Sequence, residues 1–159
     1  MSHRVYIALG TNIGDRTENL RRARQALVEF MQLTASSPVY ETPPWGIVDQ
    51  PAFLNQVVTG QCELAPEVLM RQLKKLEGEL GRVPGVRNGP RVIDLDLLFY
   101  DDLQLEQPAL TIPHPRMEGR AFVLKPLADL APDLVHPVLK KTITEMLQES
   151  DASGVRIFA

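Results

Sequence analysis

The sequence predicts an α+β domain, an antiparallel sheet with helices packed on one of its faces. Two stretches, within 20–31 and 69–80, repeat apolar residues at helical spacing. Around them lie four runs with the β-rich or alternating character of strands, in the order strand, helix, strand, strand, helix, strand. In the last strand Ile93, Leu95, Leu97 and Phe99 alternate with Val92, Asp94, Asp96 and Leu98. Extended backbone sends alternate side chains to opposite faces, so one face is wholly apolar and the other displays both aspartates.

Each element has its own signal. Arg4 to Leu9 reads as a buried strand ended by Gly10, and Asp15 with Glu18 reads as a capping box opening a helix. That helix has one apolar face, Leu20, Ala23, Leu27, Phe30 and Met31, with Arg21, Arg22 and Arg24 mostly outside it. Thr34 to Tyr40 suits a second strand, at an edge because Pro38 has no N–H to donate. The turn-rich segment ETPPWGIVDQP reads as an exposed loop, and Phe53 to Leu64 as a third strand. Pro66 sits well in the first turn of a second helix, Gly81 at its stop, and Leu69, Leu73, Leu76 and Leu80 form its stripe. The glycine- and arginine-rich loop GRVPGVRNGPR then leads into the strand with the two acids. The proline-rich last third supplies shorter elements around the core. The order β-α-β-β-α-β is that of the ferredoxin-like split βαβ unit, whose two helices share one face. Asp94 and Asp96 then belong to the other face, covered by loops or ligand.

A chain of 159 residues with 44% hydrophobic content suits one domain spanning residues 1–159. Its net charge of -3 argues against a general nucleic-acid binder. Cys62 is the only cysteine, so neither an internal disulfide nor a thiolate metal cluster can form. No apolar stretch approaches the roughly 20 residues of a transmembrane helix, and the apolar segment after Arg4 is too short for a signal peptide. The expectation is a cytoplasmic monomer with small-molecule substrates, without nucleic-acid or membrane partners.

Same-face positions two apart on a strand are separated by roughly 6.5 Å. Two carboxylates so placed can converge on cations, as in two-metal sites whose ions lie roughly 3.5–4 Å apart. Oxygen ligands without a Cys or His pair favour Mg²⁺, which completes its shell with water and substrate phosphate. A solvated sheet face would explain the pair equally well on pattern alone. Arg87 and Arg91, in the loop before the strand, favour convergence of acids, metal and guanidiniums on a polyphosphate. No Gly-Lys pair occurs, so there is no Walker A loop. Gly10 to Asp15 is a strand-to-helix turn that either offers N–H groups to an anion or simply turns the chain.

RNGPRVIDLDLL, residues 87–98, resembles the signature of the 6-hydroxymethyl-7,8-dihydropterin pyrophosphokinase family. ALGTNIGD, YETPPWG with FLNQV, LEGELGR and TIPHPRMEGRAFVLKPL fit the same family in order. The resemblance implies an ATP- and Mg²⁺-dependent enzyme of folate biosynthesis, transferring the β,γ-pyrophosphoryl group of ATP to the pterin hydroxymethyl oxygen. It implies that Asp94 and Asp96 hold two Mg²⁺ ions and, with Arg82 and Arg91, form the catalytic set. Lys74, Glu77, Arg82, Arg87, Arg91, Ile112, His114 and Arg120 fall on its nucleotide side. Thr42, Pro43, Pro44, Trp45, Phe53, Asn55 and Phe122 fall on its pterin side. There Asn55 and Thr42 would read the heterocycle edge, and Phe53 and Phe122 would sandwich the ring. Pro84 and Asn88 depart from residues seen in some relatives. Trp45 reads either as a lid over the pterin or as a plug on the protein's own surface.

Two other functions fit a paired-acid ferredoxin-like sheet. One is a nucleotidyltransferase that attacks the α-phosphorus and releases pyrophosphate. The other is a ligand-sensing module without turnover, which needs neither paired acids nor a ring of arginines.

Overall fold

The structure is a computed structural model that describes residues 1–43, 50–81 and 92–159. β1 (His3–Thr11) lies between β5 (Asp94–Tyr100) and β4 (Phe53–Cys62), antiparallel to both. β2 (Met31–Ser36) and β3 (Tyr40–Thr42) each pair antiparallel with a different half of β4, and β8 (Arg156–Ile157) pairs with β3. With α1 (Arg16–Leu27) between β1 and β2, and α2 (Pro66–Glu79) between β4 and β5, this is the ferredoxin-like arrangement. β6 (Leu105–Gln107) and β7 (Leu110–Ile112) make a separate hairpin.

The two sheet faces bury different clusters. On one, Leu20, Ala23 and Leu27 of α1 and Leu69, Leu73 and Leu76 of α2 meet Val5, Ile7, Leu9, Leu54, Val58, Leu95 and Leu97. α1 starts where the sequence places it, since the Asp15 carboxylate accepts the Glu18 N–H at 3.1 Å. The other half of the expected box is not used, because Glu18 pairs with Arg21. α1 also stops at Leu27, so Phe30 lies in a turn and Met31 opens β2. Both still reach the same core, from the chain that follows the helix rather than from its stripe.

Two strand expectations are corrected. Thr34–Tyr40 is not one strand, because pairing with β4 is interrupted at Ser37–Pro38–Val39. Ser37 fills the gap, its N–H donating to the Val57 carbonyl and its hydroxyl accepting the Val57 N–H. Phe99 does not share a face with Leu97. The β1–β5 register shifts between Tyr6 and Ile7, which face Phe99 and Leu97, so Leu98 is an extra residue. This bulge reverses the alternation beyond it. Phe99 therefore packs on the second face and Tyr100 on the first.

That second face carries more than loops. α3 (Ala121–Leu130) and α4 (Ile143–Gln148) cover Val57, Leu98 and Phe99 with Val123, Leu124, Leu127, Ile143 and Met146. They protect one part of the face and leave the part with Asp94 and Asp96 open to a cleft.

His136 closes the far side of this cluster. It is buried, its ring stands edge-on to Phe99 at 5.7 Å, and its Nδ1 accepts the Val138 and Leu139 N–H groups. Burial holds its protonation below the ordinary histidine range, against the opposing pull of Glu118. Below the ordinary range the unfolded chain takes up more protons than the folded one, so His136 lowers stability as pH falls. The urea midpoint is expected to drop from pH 7.5 to pH 5.5, and to drop less in His136→Asn, which keeps an acceptor in the turn. An identical drop in both proteins would assign the acid sensitivity elsewhere.

Candidate active site

The middle of the sheet builds the floor of the cleft. Gly10 of β1 faces Asn55 of β4 on one side and Asp94 of β5 on the other. Ala8 stands likewise between Val57 and Asp96. Small residues on the central strand therefore separate Asn55 on β4 from an acidic row on β5. Gly10 does not end the strand, as the sequence indicated; β1 runs on to Thr11. Its missing side chain is what matters, because a Cβ there would lie 3.3 Å from Asn55 Oδ1. With the substrates the family resemblance implies, Gly10→Ala is expected to raise KM for the pterin about threefold, the scale of a small packing clash, with KM for ATP unchanged. Equal changes in both would show that Gly10 does not act through Asn55.

Above this floor lies a cavity of about 410 Å³. Thr42, Phe53 and Asn55 line one end, and Lys74, Glu77, Asp94, Asp96, His114 and Arg120 line much of the rest, with Phe122 also in the wall. Asn55 is buried and its amide donates to the Thr42 hydroxyl at 2.8 Å, which fixes the orientation of both. Phe53 and Phe122 are half-buried and come from different elements, the start of β4 and the first turn of α3. The Arg120 guanidinium lies over the Phe122 ring, 5.6 Å from its centroid.

Glu77 has a structural reason to be buried in the last turn of α2. β5 is an edge strand, and the Leu95 N–H donates to Glu77 Oε2 at 2.8 Å. An otherwise unpaired edge N–H is thereby satisfied and the start of β5 is tied to α2. Lys74, one turn earlier, reaches the other Glu77 oxygen at 3.5 Å. Helix and acid-bearing strand are thus locked together at the cleft.

His114 is anchored by its backbone N–H to the Leu98 carbonyl, at 3.0 Å. Its Nδ1 accepts the Arg116 N–H at 3.1 Å, so in the neutral ring Nε2 carries the proton and is a donor. Burial pushes its protonation below the ordinary range; Asp96 opposes this, while Arg120, Arg116 and Lys74 reinforce it. Burial likewise lowers Arg120, helped by Arg116 and opposed by Asp96.

Two residues of the expected site stand differently. Ile112 is buried in the α1–α2 core and does not line this cavity; it borders a second cavity of about 480 Å³ beyond His114 and Met117. Pro43 is exposed at the end of β3, outside the lining. Arg116, which sequence reasoning passed over, does line it, as do Ala8, Gly10 and Met117. The alternation of small residues on β1 was the available signal for Ala8 and Gly10. Pro44, Trp45, Arg82, Arg87 and Arg91, with Pro84 and Asn88, lie outside the described residues.

The donor set suits a hard divalent cation. Among the described residues no cluster of three or more His, Cys, Asp or Glu could hold an ion by itself. Asp94 and Asp96 offer two carboxylates beside the cavity, and Mg²⁺ is held by one or two carboxylates together with water and phosphate.

Residues 6–132 match the family described as 7,8-dihydro-6-hydroxymethylpterin-pyrophosphokinase, and the chain belongs to that family. It is 44% identical over 154 residues to the 2-amino-4-hydroxy-6-hydroxymethyldihydropteridine pyrophosphokinase of Methylorubrum extorquens, covering 96% of each chain. It is 40% identical over 157 residues to the folic acid synthesis protein fol1 of Schizosaccharomyces pombe. That match covers 98% of this chain but only 21% of that longer protein. A crystal structure of Plasmodium falciparum HPPK-DHPS superposes with a TM-score of 0.76 at 19% identity. It covers 94% of this chain and 44% of that one, and bears on the fold alone.

Proposed function

We infer that this chain transfers the β,γ-pyrophosphoryl group of ATP to the hydroxymethyl oxygen of 6-hydroxymethyl-7,8-dihydropterin, in folate biosynthesis. The observation that carries the reading is the juxtaposition, in a chain of this family, of an acidic row and an amide–aromatic end within one cleft. The new bond joins the pterin oxygen to the β-phosphorus, the bond from that phosphorus to the α–β bridging oxygen breaks, and AMP leaves. The hydroxyl proton is lost in the process.

Little covalent chemistry is asked of the protein, so alignment and charge neutralisation do most of the work. At the pterin end Thr42 orients Asn55, whose amide carries the donor and acceptor a pterin edge needs, and Phe53 and Phe122 offer ring faces. At the phosphate end Asp94 and Asp96 would hold Mg²⁺, two ions being the number the family resemblance implies. Bound there, the metal would supply neutralisation of phosphate charge and a template for the reacting groups. Lys74, Arg120 and the Nε2–H of His114 donate to the nucleotide, with Arg82, Arg87 and Arg91 as further cations. Glu77 acts behind them by holding β5. Ile112 fits a role through its main chain, and Pro43, Pro44 and Trp45 are assigned to the pterin side by the family resemblance.

We read the chain as a cytoplasmic monomer, with residues 1–159 as one domain. No described helix is long and apolar enough to cross a membrane.

One assay separates the candidate functions: ATP, Mg²⁺ and hydroxymethyl-dihydropterin, with the nucleotide products resolved. AMP with the pterin diphosphate is expected. Pyrophosphate would mean nucleotidyl transfer, tight binding without turnover a sensor, and ADP would overturn all three.

A further inference from the structure

We propose that Arg16 and Phe158 form a positioning brace for the pterin end of the cleft. The proposal rests on the pterin reading above. Phe158 lies beyond residues 6–132, the stretch that the family match covers.

β3 ends at Thr42 and β4 begins at Phe53, and these two paired residues frame a mouth at the end of the strands. Arg16, at the start of α1, reaches both sides of this mouth. Its Nη1 donates to Glu41 Oε2 at 2.8 Å and to the Ala52 carbonyl at 2.9 Å. Glu41 immediately precedes Thr42, and Ala52 immediately precedes Phe53. One guanidinium therefore ties together the residues on which Thr42, Phe53 and Asn55 depend for their spacing. Asn12, from the same turn, adds a second tie through its amide to Gln50 Oε1 and the Pro51 carbonyl, at 2.8 and 3.1 Å.

A guanidinium with two acceptors on one nitrogen can still swing about its long stem. Phe158 limits that motion, with its ring centroid 5.4 Å from Arg16 Cζ. Phe158 is itself held in register: its N–H donates to the Val39 carbonyl at 2.7 Å, and the Val39 N–H donates to the Ala159 carbonyl at 2.8 Å. β8 continues the pairing, Ile157 facing Tyr40 and Arg156 facing Glu41. The same segment abuts Pro43, where a Cβ added to Gly154 would lie 3.3 Å from Pro43 Cδ. β3 is only three residues long and needs this support from outside. Neither Arg16 nor Phe158 lines the cleft, so they act through Thr42, Phe53 and Asn55 and are positioning residues.

The test uses the full-length chain with Arg16→Met, Arg16→Lys, Phe158→Ala and Phe158→Leu. Arg16→Met is expected to raise KM for the pterin about tenfold, the scale of a lost charge-assisted hydrogen bond, with kcat and KM for ATP changed less than about twofold. Arg16→Lys should recover part of the loss by keeping one contact. Phe158→Leu should weaken pterin binding less than Phe158→Ala, because it keeps the apolar cover. Equal shifts in both KM values, or none, would overturn the brace, even if the melting temperature fell. Amide hydrogen exchange separates this outcome from failure of the functional reading. Should the wild type form no AMP, faster exchange confined to residues 40–42 and 53–55 in Arg16→Met would still support the brace, and unchanged exchange there would overturn it.

Discussion

Replacing Asp96 with Asn is expected to lower turnover about a thousandfold or more, equivalent to roughly 4 kcal/mol of transition-state stabilisation. The proposed metal site would lose one ligand charge and the alignment of the phosphates together. The fold should survive. Asp96 is half-exposed at the cleft, and its removal relieves repulsion from Asp94 on the same face. The melting temperature is therefore expected to hold or rise. His114 supplies a second readout. Asp96 is the neighbour that favours its protonated form, so its loss leaves burial and the cations Arg120, Arg116 and Lys74. The His114 titration, followed by NMR in the free protein, should move further below the ordinary range. Near-normal turnover of Asp96→Asn at saturating Mg²⁺ would remove the paired carboxylates from the mechanism.

The largest stability effect is expected at Gly60 of β4. A Cβ there would lie 2.1 Å from the Gln32 carbonyl oxygen and 2.9 Å from both Gln32 C and Leu33 Cα. All three are backbone atoms of β2, so no side chain can swing aside. The close approach falls where the β2–β4 register shifts between Leu33 and Ala35. Gly60→Ala must push β2 off the sheet, at a cost of about 3 kcal/mol in urea unfolding. Activity per folded molecule should persist, since Gly60 does not line the cleft. A loss below about 0.5 kcal/mol, within the range of neutral surface changes, would mean that the strands do not approach this closely.

The acidic face of β5 was legible because strand periodicity is local. Ile93, Leu95 and Leu97 lie in the helix-side core, whereas Asp94 and Asp96 line the cleft. Helix starts were legible for a similar reason. Asp15 caps α1 and Pro66 opens α2 through contacts within a turn of themselves. Phe99 was not legible. Its face is set by a bulge at Leu98 that exists only through pairing with β1, at the far end of the chain. Pro38 signalled an edge strand, but not that Ser37 would bond to β4 while Val39 paired with residues 158 and 159.

The candidate site divides along the same line. Residue type and resemblance pointed to Asp94, Asp96, Asn55, Thr42, Phe53, Phe122, Lys74, Glu77, His114 and Arg120, and all of them line one cleft. The sequence by itself thus determined the order of elements, their caps and the acidic face, because each depends on neighbours a few residues away. Tertiary structure alone decided that Gly10 stands between Asn55 and Asp94, and that Glu77 satisfies an edge N–H of β5. It also decided that Arg16 meets Phe158. Such meetings depend on strand register and on closing long loops, which bring together groups remote in the chain, so no local pattern records them.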